Sequence, residues 1–193
     1  MFEDLRYYFY DLLAKLKAHS VHPESIELDL LSLMSTRPKI KVAIIDDQAF
    51  PYLRALEAEG CVVRVFDDYS TKVRQRNQKP KIIELSSYDV IVCDVHAVGA
   101  LIFPGSEGIS VIEDVRKKYP LKVIVAYTGD PGAILTKLKR QDTLDKTFAK
   151  DWSVDEFLFN FREVIDIFVK PKNRWEFIQR RLSHLGLAQH KWS

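Results

Sequence analysis

Cysteine is scarce here: two residues, Cys61 and Cys93, in a chain of 193. Both sit inside apolar runs and neither has partners at metal-ligand spacing. A disulfide framework and a cysteine-held metal are therefore not expected, and the pair reads as two reduced core thiols of a cytoplasmic protein. Long apolar runs are also missing. The longest, such as Val42–Ile45 and Val123–Ala126, are strand-sized, whereas a bilayer-spanning helix needs about 20 apolar residues. The opening MFEDLRYYFYDLL carries acids and no basic n-region, so a secretory leader is not expected. Nor does charge of one sign prevail: 29 Lys+Arg stand against 27 Asp+Glu, a net +2, which points to no dominant polyanionic partner. Internal repeats and low-complexity tracts are lacking. What is present, 47% hydrophobic and 29% charged residues, is the composition of an ordinary globule with enough apolar material for a core.

The order of apolar runs carries the fold. Lys39–Asp47 is a short apolar run closing on two acids, which predicts a buried strand with a polar carboxyl end. Pro51 opens a helix through Leu53 and Leu56, stopped at Gly60. Strands are expected at Cys61–Phe66, Val90–Val95, Lys122–Tyr127 and Lys146–Lys150. Between them, Gly108–Lys118 repeats apolar residues at helical spacing (Ile109, Ile112, Val115). Asp130-Pro131 reads as an N-cap and first-turn proline leading a helix through Ile134, Leu135 and Leu138. Ser153-Val-Asp-Glu156 is a capping-box pattern. Val154, Phe157, Leu158, Phe161, Val164, Ile165 and Phe168 then share one helical face.

Strand and helix thus alternate about five times across residues 39–169. The strands are apolar throughout, as expected when helices cover both faces of a sheet. The expectation is an α/β fold, a doubly wound five-stranded parallel sheet, with helices added at both ends of the chain. Residues 1–38 form the N-terminal extension, with two helices expected over 1–36. One carries Phe2, Leu5, Phe9, Leu12, Leu13 and Leu16; the other carries Ile26, Leu30, Leu33 and Met34. Residues 170–193 form a basic C-terminal segment, with a helix expected over 174–187 that has Trp175, Ile178, Leu182 and Leu185 on one side. Such apolar stripes must be buried, either against the central domain or against a second copy or partner.

In sheets of this kind ligands bind beyond the carboxyl ends of the strands. Asp46, Asp47 and Asp94 fall at those ends. Three carboxylates so close repel one another, and a hard divalent cation, best Mg2+, is the usual remedy. Thr128 adds a hydroxyl donor and Lys150 a positive charge at neighbouring strand ends. Acids, hydroxyl and ammonium together suit a phosphoryl group, with one aspartate as nucleophile.

These residues resemble the response-regulator receiver domains of two-component signalling, a flavodoxin-like fold, over residues 39–169. The acid pair is similar to Asp46-Asp47 in IIDD, the phospho-acceptor to Asp94 in DVIVCDV, the switch hydroxyl to Thr128 in VIVAYTG and the family lysine to Lys150 in TFAK. Phe103-Pro-Gly-Ser-Glu-Gly108 resembles the family's Met-Pro-x-x-x-Gly loop. The resemblance implies a signal-transduction phosphoprotein rather than an enzyme, its own chemistry confined to accepting phosphate on Asp94 with Mg2+ and to self-dephosphorylation. A histidine kinase or small phosphodonor would supply the phosphate. A protein effector, or a homodimer, would receive the signal, since no helix-turn-helix of adequate length follows.

Three departures stand out. Eight residues, Val95–Ile102, separate Asp94 from Phe103, where the family has about three. Asp151, not proline, follows Lys150. Thr147 occupies the family's switch-aromatic position, while neighbouring Phe148 would face the other side of its strand. These favour a rival reading, a pseudo-receiver that binds partners without phosphate. His96, two residues after Asp94, reads as a loop histidine able to affect phosphate lifetime. A haloacid-dehalogenase-type phosphohydrolase would need Asp-x-Asp, and Asp94-Val95-His96 does not supply it. A further rival is a nucleic-acid-binding regulator. Residues 70–81 hold Lys72, Arg74, Arg76, Lys79 and Lys81 with no acid, and residues 170–193 carry six Lys and Arg against Glu176, a balance of +5.

Overall fold

A computed structural model describes residues 39–71, 81–96 and 98–186. The helical extension expected over residues 1–38 lies outside them, as do residues 72–80 of the first basic segment and residues 187–193 of the second.

Seven strands and five α-helices follow in the described chain. They are β1 (Lys41–Ile45), α1 (Leu53–Ala58), β2 (Val62–Phe66), β3 (Ser70–Thr71), β4 (Lys81–Ile82), β5 (Val90–Asp94), α2 (Glu107–Lys118), β6 (Val123–Thr128), α3 (Pro131–Lys137), β7 (Lys146–Ala149), α4 (Val154–Val169) and α5 (Pro171–His184). Five strands make one sheet in the order β2-β1-β5-β6-β7, with every neighbouring pair parallel. Numbered among themselves, these strands run 2-1-3-4-5, the flavodoxin-like doubly wound order, whose switch point lies between β1 and β5.

Alternation along each strand builds two cores. Val42, Ile44, Val90, Val92, Val123, Val125, Tyr127 and Phe148 face α1, α4 and α5, meeting Leu56, Phe157, Phe161, Val164 and Phe177. Ala43, Ile45, Ile91, Cys93, Ile124 and Ala126 face α2 and α3, meeting Val111, Ile112, Val115, Ile134 and Leu138. The central strands β5 and β6 are buried along their whole length, which is why their sequences do not alternate. Helix starts follow local chemistry: the Asp130 carboxylate accepts the Ala133 N–H at the head of α3, and Ser153 and Glu156 form a complete capping box on α4.

The structure adds to the sequence reading in one place and differs from it in another. The connection from β2 to β5 has no helix among its described residues; it forms instead a short antiparallel ribbon, β3 with β4. Residues 70–81 lack apolar residues at helical spacing, so a helix there would have nothing to bury against the sheet. The C-terminal helix starts at Pro171 and turns a different face inward. Phe177 and Arg181 are buried and Ile178 half-buried, whereas Trp175 and Leu185 are exposed. Arg181 explains the rotation: it donates to the carbonyls of Pro120 (3.1 Å) and Asp142 (2.6 Å), so α5 closes the amino-terminal edge of the sheet.

Candidate functional site

At the opposite edge, β1, β5, β6 and β7 end together and deliver the polar residues. Asp46 follows β1 directly and Asp94 ends β5; because those strands are neighbours, two buried carboxylates meet across the switch point. Asp47 is exposed beside them. One oxygen from each of the three lies within 4.8 Å of the others. Thr128 ends β6 and is buried, and Lys150 leaves β7 with its backbone N–H on the Thr128 carbonyl at 2.9 Å. All five residues singled out from the sequence are thus brought to one edge of the sheet.

Asp94 is held at both oxygens. Lys150 Nζ sits 2.7 Å from Oδ2, and the His96 N–H donates to Oδ1 at 3.1 Å. The His96 side chain is exposed; its backbone supplies the contact. Asp46 accepts the Gln48 N–H at 2.9 Å. Burial pushes its carboxyl pKa above the ordinary range; Asp94 and Asp47 add to the rise, while the Gln48 N–H and Lys150 oppose it. The pocket therefore holds more negative charge than one ammonium balances. The Thr128 hydroxyl oxygen accepts the Asp130 N–H at 3.2 Å, which leaves its own proton to donate elsewhere.

Around these residues the two loops marked in the sequence, Val95–Ile102 and Phe103–Gly108, are joined by residues that its patterns did not single out. Helix α2 presses its first turn onto the acceptor strand: a Cβ at Gly108 would overlap the carbonyl oxygens of Asp94 and Val95. A glycine at this point of the Phe103–Gly108 loop is thus a packing requirement. The long Val95–Ile102 loop folds back on the β2 exit instead of extending away. Asp68 accepts the Gly99 N–H, Val98 is buried, and Phe103 stacks on Tyr69 with centroids 6.5 Å apart. Tyr69 is in turn fixed by its hydroxyl to Asp114 on α2 at 2.6 Å. Behind Lys150 lies a ring cluster of Phe50, Tyr52, Tyr127 and Phe157. A tyrosine inside an apolar run reads as core, so pattern alone had no means of marking Tyr127. Thr147 is half-buried, and Phe148 packs into the core against Phe157, on the face opposite Thr147.

No protein-family model matches the chain, and no curated protein sequence matches it. Solved structures do. NtrX from Brucella abortus, in complex with ADP, superposes with a TM-score of 0.50 at 14% identity, over 72% of this chain and 30% of its own. The non-phosphorylated HemR receiver domain from Leptospira biflexa gives 0.49 at 18%, over 66% and 94%. A response regulator from Thermotoga maritima gives 0.46 at 19%, over 67% and 99%. At such identities the likeness is one of fold. Strand order, helices on both faces and the position of the switch point give this chain the fold of the response-regulator receiver domains.

Proposed function

We propose that the chain is a phosphorylation-dependent signalling module in which Asp94 accepts a phosphoryl group and the altered surface is read by a protein partner. One observation carries this reading. A buried aspartate at the switch point is oriented at both oxygens, beside two further carboxylates, a buried hydroxyl and an ammonium. In the step itself an Asp94 carboxylate oxygen bonds to phosphorus, while the bond from phosphorus to the donor breaks. The donor is a phosphohistidine of a kinase or a small acyl phosphate, and its leaving group departs with the electron pair. Lys150, already on Asp94, pairs with an oxygen of the incoming phosphoryl group, and the Thr128 hydroxyl donates to another. Hydrolysis of the resulting acyl phosphate is the only further chemistry this site calls for.

The donor set fits Mg2+. Asp46, Asp47 and Asp94 offer hard oxygens within one ion's reach, and the exposure of Asp47 leaves room for water ligands. When bound, the ion neutralises charge on the phosphoryl oxygens. The three carboxylates would hold it, and the backbone N–H groups of Gln48 and His96 keep two of them aimed.

A receiver unit over residues 39–169 carries the site, and α5 beyond it fastens the amino end of the sheet. The exposed Phe159 and Leu101 offer apolar surface for a partner or second copy. A phosphate-independent interaction module is the second reading, favoured by the polar Thr147 where a switching ring would stand. Nucleic-acid binding is less well supported, because Arg181 of the basic C-terminal segment spends its donors inside the fold.

Incubation with acetyl phosphate and Mg2+ tests the proposal by intact mass. One added phosphoryl group is expected, with Asp94→Asn abolishing it. An unmodified mass, under conditions that label a control receiver, supports the phosphate-independent module instead.

A further inference from the structure

Lys150 has no proline behind it to shape its turn, yet its ammonium lies 2.7 Å from Asp94 on a flexible four-carbon stem. Two contacts explain how it is held. Its Nζ stands 5.2 Å from the centroid of the Tyr127 ring, within the range of a cation–π attraction. That ring cannot swing away, because Phe50 and Tyr52 meet it edge-on at 5.2 and 6.2 Å and Tyr127 is buried. The second contact holds the backbone. Tyr52, edge-on to the Tyr127 ring, donates its hydroxyl to the Trp152 carbonyl at 2.5 Å, two residues beyond Lys150. Tyr52 is itself stacked on Phe157, centroids 4.0 Å apart and rings 7° from parallel.

From this geometry we infer that Tyr127, supported by Tyr52, is a positioning residue for Lys150: its ring face aims the ammonium at Asp94 while the Tyr52 hydroxyl fixes the turn that carries it. The inference deepens the proposed phosphoryl acceptance and rests on that reading for its kinetic consequence. A leucine at 127 would keep the core apolar and lose the ring face. A phenylalanine would keep the ring and its face toward the ammonium.

Two measurements on the full chain decide it. The first needs no phosphate: in NMR spectra the ε-methylene protons of Lys150 should be shifted upfield by the tyrosine ring. The shift should persist in Tyr127→Phe and vanish in Tyr127→Leu. An unshifted wild-type signal, or no change in Tyr127→Leu, overturns the inference. The second is the rate of labelling by acetyl phosphate with Mg2+. Tyr127→Leu should slow it by about five- to tenfold when Lys150 is present, but less than about twofold in a Lys150→Met background. Equal slowing in both backgrounds makes the tyrosine a core residue only and overturns the inference. Should Tyr127→Leu fold poorly, phenylalanines with one, two and three ring fluorines at position 127 keep the shape and drain the ring face of negative charge. A rate falling stepwise with fluorine is expected, and a flat series counts against the inference. If the wild type takes no phosphoryl group, the phosphorylation reading fails, and the ring shift alone still decides whether Tyr127 positions Lys150.

Discussion

The two ends of the sheet are both crowded with charge and treat it in opposite ways. At the amino end, Arg116 lies almost wholly inside, and every donor it uses meets a partner: the carbonyls of Thr143, Pro120 and Lys122 at 2.9, 3.0 and 2.8 Å, and the Asp145 carboxylate at 2.5 Å. Asp145 also accepts the Ile124 N–H, and Arg181 docks next to it from α5. At the carboxyl end, three acids share one lysine. The Arg116–Asp145 pair is matched within the fold, whereas the carboxyl end carries more acid than its one lysine balances. The same residue types serve both, and what separates them is whether each buried charge finds its complement inside the chain.

The strongest way to break the comparison is to remove a complement at the amino end. Asp145→Ala would leave the Arg116 guanidinium buried without its counter-charge, and a loss of about 3–5 kcal/mol is expected. Urea denaturation checks this. A loss under about 1 kcal/mol would mean that the pair is screened like a surface one.

At the carboxyl end the same kind of edit should have the opposite sign. Asp46→Asn removes a buried charge that already lacks a full complement and keeps an oxygen for the Gln48 N–H. In chelator, the variant should melt higher than wild type, by about 1 kcal/mol in stability. Mg2+ should raise the melting temperature of the wild type and have far less effect on the variant. Asp47→Asn, at an exposed position, should gain less. A variant that melts lower in chelator would show that the pocket is already balanced without a cation.

The smallest effect concerns the thiols, Cys61 just before β2 at the amino end and Cys93 beside Asp94 at the carboxyl end. Burial pushes the Cys61 thiol up to about 11 and that of Cys93 well above its usual value. For an acid raised in the folded state, any stability tied to its protonated form is complete below the ordinary thiol value and fades as pH climbs toward the folded one. Between pH 7 and 8 both should therefore resist a disulfide reagent until the protein unfolds. Burst labelling of either without denaturant would contradict that burial.

How much of this the sequence displays depends on whether a residue stands at the end of a pattern or inside one. Asp46, Asp94, Thr128 and Lys150 each close an apolar run, and the runs must align as a parallel sheet to be buried at all. The pocket was therefore legible before any coordinates. Arg181 was not: an arginine on an amphipathic helix resembles a solvated one until Pro120 and Asp142 are seen to converge on it. Nor was the β3–β4 ribbon, because a polar stretch is silent about what replaces a missing helix. The long loop after Asp94 could be counted but not placed, since its anchor, Asp68, lies 31 residues before Gly99.

The closure of the amino end also has a consequence for biosynthesis. Pro120 and Asp142 are tied down by a side chain that lies 61 residues after the first and 39 after the second. As the chain leaves the ribosome, the strands that carry the acids emerge well before Arg181 does. Arg116 can hold the Pro120 carbonyl as soon as it is made, but the fastening by Arg181 has to wait for α5. A stop codon shortly before position 181 would thus release a protein that has every site residue and lacks the fastening that keeps their strands in place.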